Sequence, residues 1–145
     1  DATGLKMALV VSRFNSFFTE QLVKGAADCF VRHGGKEADL TLVRVPGANE
    51  LPQVAQRLAA TGKVDAVVAL GAVIQGATPH ADLINGTVAR ALAKISLDTG
   101  VPVLNGIVCA LNLEQAIERA GTKQGNKGWD AVAAAIETVN VLKAL

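Results

Sequence analysis

A histidine, a carboxylate, an aromatic ring and a glycine-rich turn follow apolar segments of this 145-residue chain, where strand ends are expected. Residues 76–80, Gly-Ala-Thr-Pro-His, lead into a segment of helical spacing. Free backbone N–H groups and the helix dipole at such a position suit an anion such as phosphate. His80 follows within one turn and suits proton transfer near neutral pH. A capped helix with a solvated histidine has the same pattern, so both interpretations stay open.

Further side chains suit a polar ligand that contains a flat ring. Phe14 could stack on such a ring or simply close the core. Glu50 could accept hydrogen bonds from sugar-like hydroxyls, or serve as the acidic first-turn residue of a helix. Arg119, Lys123 and Lys127 stand among glycines, which fits either a second anion site or a solvated connection. The chain has neither a G-x-G-x-x-G nor a G-x-x-x-x-G-K-[ST] pattern, which argues against the two commonest nucleotide-binding loops.

Four apolar segments must position these residues, and a segment of helical spacing follows each of them. The predicted strands are residues 7–11, 40–45, 66–70 and 101–104, and the predicted helices are residues 19–33, 51–60, 82–97, 113–120 and 129–145. This alternation predicts an α/β fold, a three-layer αβα sandwich of flavodoxin-like type whose four-stranded parallel sheet has helices on both faces. Ligands of such sheets bind beyond the carboxyl ends of the strands. That rule selects the loops 12–15, 46–50, 71–80 and 105–111.

Composition and charge exclude several classes of protein. Half of the residues are hydrophobic, which excludes a disordered chain, and 14 basic against 13 acidic residues leave no field for nucleic acid. The length suits one domain over residues 1–145, and no apolar stretch reaches the roughly 18–20 residues of a membrane span. Cys29 and Cys109 are interpreted as buried core thiols rather than disulfide or metal partners, which favours a cytoplasmic location. Because the chain starts at Asp1, an N-terminal piece is expected to be missing.

Taken together, these segments resemble the 6,7-dimethyl-8-ribityllumazine synthase family. The resembling stretches are Ser12-Arg13-Phe14-Asn15, Val45-Pro46-Gly47 with Glu50 and Pro52, Gly76-Ala77-Thr78-Pro79-His80, and residues 114–128. They occur in the family's order over essentially the whole chain. The resemblance implies a transferase that condenses 5-amino-6-ribitylaminouracil with 3,4-dihydroxy-2-butanone 4-phosphate, without cofactor or metal. It further implies that the sites lie between the subunits of a pentamer, and that some members assemble into sixty-subunit shells. The family's pocket is also expected to bind flavin, and the family's N-terminal strand is expected to be missing from this chain.

The resemblance also implies a role for each site residue. His80 would carry protons, Phe14 would stack on the pyrimidine, and Arg119 would reach the phosphate from a neighbouring subunit. The other expected substrate-binding residues line the ribityl pocket (Ala48, Asn49, Glu50), border the ring (Ala72, Val73, Ile74), bind phosphate through their backbone (Ala77, Thr78), or contact substrate without an assigned part (Asn105, Lys127).

The chain departs from the family's pattern at several positions that usually hold aromatic residues or Arg. These positions are Asn49, Gln75, Ala81, Leu83 and Asn105, the last of which precedes Gly106, the glycine that ends the fourth strand in the family's pattern. Residues 109–111 replace a loop that is usually rich in Thr. One interpretation is an enzyme with a more polar pocket and weaker substrate binding. Another is a weakened or inactive scaffold that forms pentamers or a capsid-like shell. A third, a flavodoxin-like module for some other phosphorylated ligand, leaves residues 114–128 unexplained.

Overall fold

A four-stranded parallel sheet forms the centre of the chain, for which the computed structural model describes residues 1–76, 80–121 and 125–145. The strands are β1 (Met7–Ser12), β2 (Leu40–Val45), β3 (Ala66–Ile74) and β4 (Val103–Ala110). Their order is β2-β1-β3-β4, so β2 and β4 are the edges. Every residue of β1 is buried, as expected for an interior strand covered on both faces.

Helices cover both faces of the sheet. They are α1 (Ser16–Arg32), α2 (Leu51–Ala60), α3 (His80–Thr99), α4 (Leu113–Ala120) and α5 (Lys127–Ala144), with short 3-10 turns at Glu37–Asp39 and Ala48–Glu50. Helices α1, α4 and α5 pack on one face around Leu9 and Val68, and α2 and α3 pack on the other around Val10 and Val67. Because successive strand side chains point to opposite faces, β1 and β3 supply both cores. The predicted αβα sandwich is confirmed. None of the helices in the described ranges has the length and apolarity needed to cross a bilayer.

The bounds predicted for α2 and α4 are confirmed, whereas α1, α3 and α5 begin earlier, at Ser16, His80 and Lys127. The prediction that the first helix includes His33 is wrong. The helix ends at Arg32, and His33 is an exposed C-cap whose Nδ1 lies 2.7 Å from the carbonyl oxygen of Cys29.

The predicted ends of β3 and β4 are also wrong, because both strands run further. They stay paired with each other up to Ile74 opposite Ala110. Gly106, which suggested the end of β4, is instead a point of close packing: an added Cβ would stand 2.7 Å from Leu70 Cδ2 and 3.1 Å from Ala131 Cβ. Asn105 therefore lies within β4 rather than in a loop.

The two cysteines differ in environment. Cys29 is fully buried in the core between α1 and the sheet, as predicted, whereas Cys109 is exposed, so the prediction of a buried thiol is wrong there. Cys109 lies on the same side of edge strand β4 as Asn105, and both residues are exposed. Ile107, which lies between them on that side, is buried in the core with α2 and α3. Both thiols are free.

Candidate functional site

A cavity of about 210 Å³ opens at the carboxyl ends of β1, β2 and β3, and we call it the strand-end cavity. Segments that follow these strands and the start of α3 form its walls. The predicted site residues among its lining are Phe14, Ala48, Asn49, Glu50, Ala72, Val73, Ile74 and His80. The other lining residues are Ser12, Asn15, Gly47, Gln75, Ala81 and Ile84. One cavity therefore brings together the aromatic ring, the carboxylate and the imidazole.

The floor of the strand-end cavity is made by unequal strand lengths. The β1–β3 pairing ends at Val11 opposite Leu70, while β3 continues beside β4, so residues 71–74 extend beyond β1. We call these four residues the β3 extension. The N–H of the next residue, Gln75, donates to the Ala110 carbonyl at 2.8 Å, towards β4. Since peptide groups alternate in direction along a strand, those of Ala72 and Ile74 face the cavity side.

Phe14 stands at the mouth of this cavity on a loop that is tied to β2. The Arg13 N–H donates to the Val45 carbonyl at 2.8 Å, and the Phe14 N–H donates to the Pro46 carbonyl at 3.2 Å. These bonds fix the backbone, but the Phe14 side chain is 70% exposed. An exposed ring beside a cavity offers a face on which a flat ligand can stack.

Glu50 stands where a 3-10 turn passes into α2. Its N–H donates to the Gly47 carbonyl at 3.2 Å, which closes the turn. A Cβ at Gly47 would stand 3.2 Å from Glu50 Oε1, so the glycine leaves room for the carboxylate. Glu50 is exposed and lines the cavity, and can accept hydrogen bonds from hydroxyl groups there.

His80 is the first residue of α3 and lines the same cavity. Gly76 has a φ of 58°, in the left-handed region that glycine adopts without strain. The predicted phosphate-binding backbone of Ala77 and Thr78 lies outside the described residues. Ala81, next to His80, is buried against the cavity wall, whereas Leu83 is 67% exposed.

Three predicted site residues lie elsewhere, in a second space that we call the edge cleft. This cleft of about 460 Å³ is lined by parts of β4, α4 and α5, including Asn105, Arg119 and Lys127. Within one chain, these three residues do not line the strand-end cavity as the described residues form it. The strand order explains the separation, because β4 lies on the side of β3 that faces away from β1 and β2.

The cation Arg119 is held by the edge strand. Its Nη1 donates to the Cys109 carbonyl at 2.5 Å, which directs the guanidinium along β4. Although Cys109 is exposed as a residue, desolvation raises the pKa of its thiol, and the charges of Lys127 and Arg119 partly oppose that rise. Asn105, on the same strand, turns its side chain back to accept the Ile107 N–H at 3.0 Å.

Lys127 is positioned by its neighbour Asn126, the N-cap of α5. The Asn126 Oδ1 accepts the Trp129 N–H at 3.0 Å, and Nδ2 donates to the carbonyls of Gln21 and Ala120, both at 2.9 Å. One side chain thus joins α1, α4 and α5. Gly128 completes the close approach, since any Cβ there would collide with the backbone of Leu22.

Sequence reasoning gave no individual role to Ser12, Asn15, Gly47 or Ile84, although the first three lie in the loops that the strand-end rule selected. Asn15 carried a further signal, because asparagine directly after a strand tolerates the left-handed backbone conformation and bonds to backbone groups. Within residues 1–76, 80–121 and 125–145, no three His, Cys, Asp or Glu side chains are grouped so that they could hold a metal ion.

The sheet order and the strand-end cavity define a flavodoxin-like α/β protein with a cavity at the carboxyl edge of its sheet, the place where such folds bind their ligands. Residues 4–143 match the family model of 6,7-dimethyl-8-ribityllumazine synthase. The curated enzyme of that name from Nitratidesulfovibrio vulgaris is 54% identical over 145 residues, which are 100% of this chain and 93% of the relative. Enzymes of the same name from Chlorobaculum tepidum (52% identical; 100% of this chain, 94% of the relative) and Prosthecochloris aestuarii (55%; 97% and 91%) are similar. The chain belongs to the 6,7-dimethyl-8-ribityllumazine synthase family.

Proposed function

We propose that the chain is a transferase that condenses 5-amino-6-ribitylaminouracil with 3,4-dihydroxy-2-butanone 4-phosphate in riboflavin biosynthesis. Relatives named 6,7-dimethyl-8-ribityllumazine synthase are 52–55% identical over nearly the whole chain, which supports the assignment. The observation that carries it is the strand-end cavity, where Phe14, Glu50 and His80 line one space. No other described pocket combines an aromatic ring, a carboxylate and an imidazole.

The pyrimidine substrate fits the strand-end cavity. Its ring would stack on Phe14, and Ala72, Val73 and Ile74 of the β3 extension would border it, with peptide groups of the extension meeting its polar edge. The ribityl hydroxyls would extend towards Glu50 and the turn at Ala48. Holding both reactants in one orientation supplies much of the acceleration in a condensation of this kind.

His80 would move the protons of the reaction. The amine of the pyrimidine adds to the ketone and water leaves, which gives an imine. Elimination of phosphate and closure of the second ring follow, with loss of a second water. These steps need a group that both accepts and releases protons beside the reacting carbons, and an imidazole at the start of α3 suits that need.

The phosphate would be bound by the backbone of Ala77 and Thr78 together with Arg119 and Lys127 of a neighbouring subunit. The position of these two cations in the edge cleft supports a shared site, because the strand-end cavity of the same chain does not include them. We infer a homo-oligomer built around such sites, a pentamer that could further assemble into a sixty-subunit shell. We also infer a cytoplasmic location, which suits two free thiols.

The departures from the family pattern affect the walls more than the reacting groups. Asn49 and Gln75 line the strand-end cavity and Asn105 lines the edge cleft, whereas His80, Glu50 and Arg119 match the pattern. Loss of an aromatic stacking partner costs roughly 1–3 kcal/mol, by analogy with base–aromatic stacking. We therefore expect weaker binding of the pyrimidine with the proton chemistry retained.

Turnover with both substrates tests the assignment. Formation of the lumazine, followed by its absorbance and fluorescence, is the expected result, with a stoichiometric release of inorganic phosphate. Failure to form product at high concentrations of both substrates, in a preparation shown to be folded and oligomeric, would refute the activity and leave an assembling scaffold.

A further inference from the structure

Asn15 has an unusual backbone conformation for a residue with a side chain. With φ 63° and ψ 45° it is the one non-glycine residue at positive φ within residues 1–76, 80–121 and 125–145. Asparagine tolerates this left-handed region better than most residues, but the conformation still has an energetic cost. Such residues are concentrated at functional sites, and Asn15 lines the strand-end cavity.

The side chain of Asn15 is also diverted from its usual local partner. An asparagine at the N-cap of a helix commonly accepts an N–H from the first turn. Asn15 is the N-cap of α1 and makes no such bond with that helix. Its Nδ2 instead donates to the carbonyl oxygen of Ala72, on the β3 extension, at 2.7 Å.

This bond continues the contact between β1 and β3 beyond the point where strand pairing stops. The last paired residues are Val11 and Leu70, and the Ala72 carbonyl is the next acceptor on that side of β3. Because Asn15 occupies the Ala72 carbonyl, the next peptide groups that face the cavity are those of Ile74. The amide thus determines where along β3 a ligand can begin to bond with the backbone.

Asn15 also fixes the loop that carries Phe14. On one side of Phe14, the Arg13 N–H is bonded to Val45 on β2, and on the other side Asn15 is bonded to Ala72 on β3. The Phe14 ring is 70% exposed, so packing does little to hold it. Its position over the cavity depends on these two bonds and on the bond from the Phe14 N–H to the Pro46 carbonyl.

We propose that Asn15 is a positioning residue for the heterocyclic substrate, an inference that rests on the proposed function. The Asn15 amide holds the Phe14 loop against the β3 extension and covers the Ala72 carbonyl. The ring is then received between the face of Phe14 and the peptide groups of Ile74. Asn15 acts through Phe14 and β3 and takes no part in proton transfer.

Asn15→Gly separates the amide from the backbone conformation, because glycine adopts positive φ without strain. We expect the KM for the pyrimidine to rise about tenfold, the loss of one hydrogen bond of about 1.4 kcal/mol, with kcat and the KM for the phosphate substrate unchanged. Asn15→Asp keeps the shape but sets a carboxylate oxygen against the Ala72 carbonyl, so its KM should rise further. The matched control is Asn112→Gly, which removes the N-cap asparagine of α4, whose Oδ1 accepts the Gln115 N–H at 2.9 Å.

Riboflavin binding, measured by quenching of flavin fluorescence, provides a second readout that needs no turnover. Both Asn15 variants should bind riboflavin more weakly, in the same order as their pyrimidine KM values, whereas Asn112→Gly should lower only thermal stability. An active parent whose Asn15→Gly variant keeps its KM and its flavin affinity would refute the positioning role alone. A parent without turnover that binds riboflavin would refute the proposed function, and the Asn15 variants would still be compared by binding. A parent that neither turns over nor binds riboflavin would refute both.

Discussion

The strand-end cavity and the edge cleft are built by different means. The cavity arises from topology, because β3 extends beyond the end of β1, so that peptide groups of Ala72 and Ile74 lie on the cavity side without a paired strand. The edge cleft arises from individual side chains, with Arg119 held by a carbonyl of β4 and Lys127 set by the Asn126 cap. On the proposed assignment, ring recognition would depend on strand length, whereas anion recognition would depend on a few hydrogen bonds at the edge of the sheet.

This difference predicts that the chemistry is confined to the strand-end cavity. His80→Ala should lower kcat by about 10²–10⁴-fold, the usual contribution of a positioned acid–base group. His33→Ala is the matched control, since the other histidine of the chain is an exposed C-cap of α1 and should leave the rate unchanged. Steady-state turnover measures both variants. Equal rates for His80→Ala and the parent would exclude His80 from proton transfer.

The separation of the two spaces can be tested by mixing subunits. If each site joins the cavity of one subunit to the edge cleft of another, His80→Ala and Arg119→Ala chains should complement each other. Assembled from a one-to-one mixture, about a quarter of the sites would contain both native residues. Activity should recover to that fraction at phosphate-substrate concentrations too low for Arg119→Ala alone. A mixture no more active than its separate components would assign both residues to one chain's site.

The edge cleft should be the more fragile region, because one side chain ties three helices beneath it. Asn126→Ala leaves the carbonyls of Gln21 and Ala120 without their donor and removes the cap of α5. We expect the free energy of unfolding to fall by about 2–3 kcal/mol, measured by urea denaturation. Asn112→Ala, which removes only the cap of α4, should cost about 1 kcal/mol. Equal losses in the two variants would contradict a special role for Asn126.

The last expected effect appears only at high pH and concerns the packing of α1 beneath that cleft. Burial, with the nearby charges of Asp130 and Asp28, raises the pKa of the Cys29 thiol from 9.0 to about 11. Above pH 9 the unfolded chain loses this proton while the folded chain keeps it, so the free energy of unfolding should fall between about pH 9 and 11. The loss is up to about 2–3 kcal/mol.

Urea denaturation at pH 8 and pH 10.5 measures this dependence. Cys29→Ala should reduce the difference between the two pH values more than Cys109→Ala does, because the charges of Lys127 and Arg119 oppose the rise in the pKa of the exposed Cys109 thiol. An undiminished difference in Cys29→Ala would assign the effect to other groups.

The sequence predicted the layers of the fold well but not the lengths of its inner strands. The bounds of α2 follow from local signals, since Pro52 suits a first turn and Gly62 follows the end. The ends of β3 and β4 follow instead from pairing with each other, which residues 66–74 and 103–110 do not reveal separately. Glycine at position 106 suggested a strand end. Its place within β4 is explained by the side chains of Leu70 and Ala131, which leave no room for a Cβ there.

The site was predictable where one loop follows one strand. Phe14, Glu50 and His80 follow β1, β2 and β3, which are adjacent in the sheet. The rule for parallel sheets therefore grouped them at one cavity, as the structure does. Asn105 was grouped with them because the rule takes no account of strand order, and Lys127 because of the family resemblance. With β4 on the side of β3 away from β1 and β2, these two side chains face another space.

The start of α5, which Asn126 caps, also holds the residue that gives the protein its intrinsic fluorescence. The sequence contains one tryptophan and no tyrosine, and that tryptophan, Trp129, is the residue whose N–H Asn126 caps. Its indole lies 5.9 Å from the His33 ring, centre to centre, and far along the chain from the strand-end cavity. Ultraviolet emission from the native protein therefore reports on the start of α5 beside the edge cleft, while a bound flavin, emitting in the visible, would report on the strand-end cavity. The two parts of the proposed site can therefore be followed separately, at two emission wavelengths.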